Sequence, residues 1–227
     1  MDVRLLNSTP QPERAIAAAA RVCYAPVGAA ELMETMADDE IRRVLRIIMT
    51  SGHLSALEHA SYTFAIDGVS RAMTHQLVRH RIASYNQQSQ RYVDFQCEPT
   101  FIVPPAIAND AHRSSRFLAA CRSQFEWYRE MIDIDGVAPE DARYILPNAT
   151  ETKIVVTMNV RELLHFFSLR CCKRAQWEIR AVSDRMLELV TPTAPYIFAD
   201  AGAGCRRGPC PEGKLSCGEP FERIVRE

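Results

Sequence analysis

The chain has 227 residues, 47% apolar and 24% charged, with 27 basic against 28 acidic side chains and a formal net charge of −1. That length and balance suit a globular chain with a core of its own, and they exclude a disordered tail, a collagen and a mucin-like stalk. Near-zero net charge also argues against a nucleic-acid coat held by bulk charge, so any anion must be bound by local clusters. No apolar run approaches the roughly 18 residues of a membrane span, and the opening MDVRLLNSTPQPER lacks the apolar core of a signal peptide. A cytoplasmic protein is expected, its eight cysteines being free thiols or metal ligands.

Val3 and Leu5 suit a first strand, and Pro10 and Pro12 punctuate the start of a helix through residues 15–22. Ile41, Val44, Leu45 and Ile48 recur at i, i+3, i+4 and i+7, which predicts an amphipathic helix over 39–50, stopped by Ser51-Gly52. Tyr62, Phe64 and Ile66 alternate as in a half-buried strand that Gly68 ends. Residues 70–79 read as a helix with Met73 and Leu77 inward. Residues 79–92, RHRIASYNQQSQRY, have no hydrophobic period and read as an ordered loop. Phe101–Val103 predicts a short strand, and 112–132 a long helix with Phe117, Cys121, Phe125 and Tyr128 on one stripe. Pro139 opens a short helix ending near Leu146-Pro147, Lys153–Met158 reads as a strand, and 160–171 and 175–190 as two helices. Helix outweighs strand without regular βαβ alternation, so the expected class is α+β: a mostly helical single domain with a small sheet. The run GAGCRRG from Gly202 sets its third glycine one place too late for a dinucleotide fingerprint.

The chemistry concentrates between Gly68 and Val93. This segment has no Asp or Glu, and it carries Arg71, Arg79, Arg81 and Arg91 with His75 and His80. Guanidinium forks match phosphate oxygens. Ser84, Asn86, Gln87, Gln88, Ser89 and Gln90 lie among them as neutral donors and acceptors for sugar hydroxyls and a heterocycle's amide edge. The segment therefore reads as a site for a phosphorylated, planar ligand such as a nucleotide. The bland alternative is a solvated loop.

Residues 79–92 also match R-H-R-x-x-S-x-N-x-x-S-x-R-Y at every fixed position, and this run resembles the signature of the flavin-dependent thymidylate synthases. His53–His59 (HLSALEH), Asp141-Ala142-Arg143, Asn159-Val160-Arg161, Leu169-Arg170 and Ala175–Ile179 (AQWEI) resemble further segments of that family. The resemblance covers residues 1–200, the expected catalytic flavin- and nucleotide-binding domain, and leaves 201–227 as a Cys/Gly-rich tail. It implies reductive methylation of dUMP to dTMP, with 5,10-methylenetetrahydrofolate as carbon donor, NADPH as reductant, FAD as hydride carrier, and a homotetramer.

It further implies that His53, Ser55, Arg79, His80, Arg81, Gln87, Asn159, Arg161 and His165 face FAD. Gln76, Arg79, Gln87, Gln88, Ser89, Gln90, Arg91 and Arg143 would hold dUMP, and Arg170 would face the uracil as the catalytic arginine. The rationale is physical. C5 of uracil is a poor nucleophile, and an arginine beside N3 and O2 favours negative charge on the ring. Ser89 is expected to donate a hydrogen bond and not to act as a nucleophile, since no base can be argued beside it. Two departures stand out: Gln87 where Glu is common in the family, and His165 where Asn is frequent. His59, His75 and His112 are expected to be surface or structural residues.

Cys205, Cys210 and Cys217 with Cys172 would make a four-sulfur metal set, although their spacing lacks the usual C-x-x-C pairs. Free thiols are the alternative. Two competing readings follow: an RNA-binding module gripping phosphates through the Arg/Tyr run, against which the net charge counts, and a metal-built assembly protein, which leaves that run unexplained.

Overall fold

The computed structural model describes residues 1–93 and 95–222. In chain order it comprises β1 (Asp2–Ser8), α1 (Pro12–Arg21), α2 (Ala29–Thr35), α3 (Asp38–Ser51), β2 (Ser61–Ser70), α4 (Arg71–Leu77) and β3 (Ala83–Gln87). Then follow α5 (Pro105–Ala108), α6 (Ala111–Asp133), α7 (Pro139–Ala142), β4 (Glu151–Asn159), α8 (Val160–Arg170), α9 (Trp177–Val190) and α10 (Pro195–Phe198), with short 3₁₀ turns between them. The α+β expectation holds: helix dominates, and the strands form one four-stranded antiparallel sheet in the order β1-β2-β4-β3.

Side chains set the helix starts by accepting the otherwise orphaned first-turn N–H groups. Ser70 Oγ accepts from Met73 N at 3.0 Å for α4, and Asp110 Oδ1 from Arg113 N at 2.8 Å for α6. Asn159 Oδ1 accepts from Glu162 N at 2.9 Å for α8, and Gln176 Oε1 from Glu178 N and Ile179 N at 3.1 Å for α9. At the other end of α3, Gly52 takes the left-handed conformation (φ 76°) that a side chain would resist.

The chain groups into two compact units whose boundaries fall within all four strands and between Arg79 and His80. The first comprises Met1–Asp2, Ile66–Arg79 and Asn86–Val155. Its helical core is the predicted stripe of α6, Cys121, Phe125 and Tyr128, closed by Phe101 and Ala142, with Phe95, Phe117 and Met131 packed at its margin. The second comprises Val3–Ala65, His80–Tyr85 and Val156–Glu227. Here Tyr62 meets Phe198 edge-on at 5.8 Å, Phe198 meets Phe167 at 6.1 Å, and Phe167 meets Phe166 at 5.8 Å. The Tyr62 hydroxyl, deep in that core, shares a 2.8 Å hydrogen bond with Thr193, so its burial leaves no orphaned polar atom.

The structure corrects three expectations and adds one helix. Gly68 does not end β2; it sits inside the strand at φ 69°, where an added Cβ would lie 3.0 Å from Met1 N. Residues 79–92 are ordered as expected, but they contain β3, whose alternation is polar and therefore silent to a hydrophobic count. The strand expected at 101–103 shrinks to a single bridge from Phe101 to Thr150, because Pro104 and Pro105 turn the chain into α5. Residues 29–35, which lack a long apolar period, form α2.

Candidate active site

In the first unit, Arg71, Arg91 and Arg143 belong to the candidate ligand-binding set. Arg71 opens α4, and its Nη1 donates to the Gln88 carbonyl at 3.3 Å. Burial, and then the neighbouring Arg143 charge, push the Arg71 pKa below its ordinary value. Such a like-charge pair lowers its own energy by taking up an anion. Glu140 meets two arginines: its carbonyl accepts from Arg143 Nε at 3.0 Å, and its exposed carboxylate pairs with Arg91.

The rest of the motif is arranged around these cations. Ser89 Oγ accepts from Arg91 N at 3.1 Å and Tyr92 N at 3.3 Å, which folds the chain after β3 and leaves its own O–H to give. Gln88 N donates to Lys153 O at 2.9 Å. Gln76 and Gln90 are half-buried, and Arg79 is exposed. Gln87 is turned inward: its Nε2 donates to Thr74 Oγ1 at 2.9 Å and Thr152 Oγ1 at 3.3 Å. Thr74 gives its own O–H to Arg71 O at 3.0 Å, so it needs a donor at position 87. Gln supplies one and an ionised Glu would not. The departure at 87 thus has a local counterpart: the Gln87 amide ties β3 to Thr74 and Thr152.

In the second unit, the centre is His80, 5% exposed. Its Nδ1 lies 2.9 Å from Glu162 Oε1, and its Nε2 accepts from Arg170 Nε at 3.1 Å. Phe166 closes over the ring edge-on at 4.9 Å, and the Tyr85 hydroxyl donates to the His80 carbonyl at 2.8 Å. Burial foremost lowers the His80 pKa; the Glu162 hydrogen bond opposes this, and the Arg170 and His165 charges reinforce it. The imidazole is thus neutral near pH 7. Both of its ring nitrogens are engaged within the chain, which sets the imidazole between Glu162 and Arg170.

The other residues expected on the flavin side are more open. His53, Ser55, Arg81, Arg161 and His165 are exposed. Arg161 pairs with Glu58 at 2.5 Å. Asn159 spends its carbonyl on the α8 cap. His53 and Ser55 line a cavity of about 510 Å³ walled by Val44, Ile48 and Ala56, with Arg21 in its lining. Apolar walls with guanidinium and imidazole groups fit an aromatic ring system that carries phosphates, so the donor set fits a flavin dinucleotide.

Among the described residues, one group of three metal-type ligands gathers, His80, Glu162 and His165, with ligand atoms within 4.8 Å of one another. The Arg170 cation already bonded to His80 favours a hydrogen-bond relay there over a metal cage. Among the described residues the sulfurs of Cys172, Cys205, Cys210 and Cys217 form no such group, and none of the eight cysteines is in a disulfide. The tail is pinned by other means. Lys173 pairs with Glu219 at 3.0 Å, and Arg174 pairs with Glu212 and donates to the Leu215 carbonyl. Residues 223–227 of the expected tail lie outside the described residues. His59, His75 and His112 are exposed, as expected.

Sequence reasoning assigned no role to Glu162 and none to Arg71 beyond its charge. Glu162 looks like an ordinary acidic residue in a first helical turn, and its partner is 82 positions away. For Arg71 the signal was present: it belongs to the carboxylate-free run.

Comparison with known proteins agrees with this geometry. Residues 4–196 match the family model described as thymidylate synthase complementing protein. The chain is 55% identical to a flavin-dependent thymidylate synthase of Geobacter sulfurreducens, over 100% of this chain and 99% of that one. It is 45% identical to a namesake of Pyrococcus abyssi, over 97% and 93%. Among solved structures it resembles a UMP/dUMP methylase, PolB of Streptomyces cacaoi, bound with 5-Br dUMP, at a TM-score of 0.77 and 28% identity, covering 87% of this chain and 93% of that one. With an unbroken signature run, full-length relatives and the same fold, this chain belongs to the flavin-dependent thymidylate synthase family.

Proposed function

We propose that this chain makes dTMP from dUMP by reductive methylation, with 5,10-methylenetetrahydrofolate, NADPH and FAD, as a cytoplasmic homotetramer. The observation that carries the reading is Arg170: the arginine at the uracil-facing position of the family is held at its Nε by a buried imidazole. Arg143 and Arg91, with Arg71 near Arg143, suit the dianionic phosphate, and the Ser89 O–H suits a phosphate or uracil oxygen. The Gln76, Gln88 and Gln90 amides can both donate and accept, as the uracil edge and ribose require. His53, Ser55, Arg79, Arg81, Asn159, Arg161 and His165 would hold FAD. When bound, FAD supplies the redox chemistry that no side chain can perform.

The chain's own contribution to the chemistry is electrostatic. Arg170 stabilises negative charge spread over N3 and O2 of the uracil, which raises electron density at C5. Its charge is fixed, so no proton need move to create it. Arginines on the phosphate hold the ring in one register, turning a bimolecular approach into an oriented one. The dUMP-methylase relative, solved with 5-Br dUMP, supports the substrate.

The test is anaerobic dTMP formation by the purified protein with FAD, methylenetetrahydrofolate and NADPH, each omitted in turn. Product that disappears without FAD or without NADPH is expected. Folded, FAD-loaded protein that makes none would overturn the reading.

A further inference from the structure

We propose that Glu162, acting through His80, is the positioning residue of Arg170. The proposal rests on the reading of Arg170 given above. Arg170 Nε–H can only donate, so the Nε2 atom it meets at 3.1 Å must carry a lone pair. The ring proton then sits on Nδ1, where it is donated to Glu162 Oε1 at 2.9 Å. One tautomer satisfies every contact: neutral His80 with its proton on Nδ1, donated to a Glu162 oxygen, and a bare Nε2 that accepts from Arg170. The other neutral tautomer would set two donors, or two acceptors, face to face.

The surroundings hold this pattern in place. His80 and Glu162 are each 5% exposed. Glu162 lies in the first turn of α8, where its backbone N–H is tied to Asn159, and Arg170 is the last residue of the same helix. His80 is therefore a strut bridging the two ends of α8. The titratable and charged groups that face it are Glu162, His165 and Arg170, all from α8, and the Tyr85 hydroxyl from β3 is bonded to its carbonyl. Phe166 supplies the apolar wall. Protonation would turn Nε2 into a donor pointing at a guanidinium and release the arginine. Because burial keeps the imidazole neutral, the strut is intact near neutrality and fails on the acid side.

The experiment compares pH profiles of kcat and of KM for dUMP in the FAD-loaded wild type, Glu162→Gln and Glu162→Leu. Glu162→Leu removes the acceptor that selects the tautomer, and kcat should fall roughly 100-fold, as for a reacting group misplaced by an ångström, with KM moving much less. Glu162→Gln can still accept from Nδ1, so it should restore most of that loss. Its acid limb should shift to lower pH, since the carboxylate that favoured the imidazolium is gone. Equal losses in both variants, or an unmoved acid limb, would overturn the proposal.

A readout without turnover separates this proposal from the functional one: nitrogen NMR of histidine-labelled, FAD-loaded protein without substrate, with His80 assigned by its loss in His80→Gln. A proton on Nδ1 and a bare Nε2 are expected, and a proton on Nε2 would sink the relay even if dTMP is made. If Nδ1 carries the proton but no dTMP forms, the relay stands and the functional reading falls. Should Glu162→Leu not fold, the Glu162→Gln profile and the wild-type tautomer decide.

Discussion

The two units treat charge in opposite ways. In the first, Arg71 and Arg143 are drawn together as like charges, and Arg91 rests on an exposed carboxylate. In the second, His80 is sealed between an anion and a cation with both nitrogens engaged. The first arrangement is raised in energy until an anion arrives, so it suits binding. The second satisfies its polar atoms and suits holding one geometry. An exposed ion pair contributes about 0–1 kcal/mol and yields readily to a ligand, whereas leaving a buried polar group without its hydrogen-bond partner costs about 1–3 kcal/mol.

If that contrast is real, substitutions in the two units will fail differently. Arg170→Ala should lower kcat by about 10²–10³, the usual cost of losing a donor to developing charge, while flavin absorbance shows FAD still bound. Arg143→Ala should raise KM for dUMP about 10–100-fold, equivalent to a charged hydrogen bond of about 1.5–3 kcal/mol, with kcat little changed. Deoxyuridine, which lacks the phosphate, should not register that change. If both variants lost kcat alone, the division into binding and positioning would be wrong.

Smaller effects sharpen the contrast. Gln87→Glu, although it installs the residue common in the family, should cost about 1–3 kcal/mol in denaturant unfolding, because Thr74 has already given its proton to Arg71. For His80, whose pKa is lowered in the folded state, the sign is definite. Its contribution to stability is complete above its ordinary pKa of 6.5 and is lost as pH falls from there through the folded value. Unfolding free energy measured from pH 8 to 5 should decline on that side, and less so in His80→Gln. Last, Glu140→Gln should change stability by no more than about 1 kcal/mol, since its carboxylate and Arg91 are both solvent-accessible.

Much of the fold was legible where one face is apolar. Ile41, Leu45 and Ile48 announced α3, and Cys121, Phe125 and Tyr128 announced α6, because each burial interval matches the helical repeat. β3 was not legible: its inward residues Ala83, Tyr85 and Gln87 alternate with Ser84 and Asn86, a period carried mostly by polar groups. The ligand-type residues stood out through an unbroken run, but their division of labour did not. That His80 looks inward to Glu162 and Arg170, and Gln87 to Thr74, depends on long-range pairings that no local pattern encodes. The cysteines mislead in the opposite direction. Cys171 is a buried thiol 3.1 Å from the Ser183 hydroxyl and pushed up to about 12, largely by burial, so it behaves as packing and not as a thiolate.

The position of β3 carries one more consequence. It is the outermost strand on its side of the sheet, five residues long. An outer strand offers a free row of amides and carbonyls to any other chain, and short length with polar side chains is what discourages such pairing. The polar residues of this run, which the proposed nucleotide site would use, are therefore also of the kind that discourages edge pairing. Replacing Ser84 or Asn86 with Val or Ile would test more than ligand contacts: it would give the edge the stickiness that its chemistry now prevents, and loss of soluble protein on concentration would be the sign.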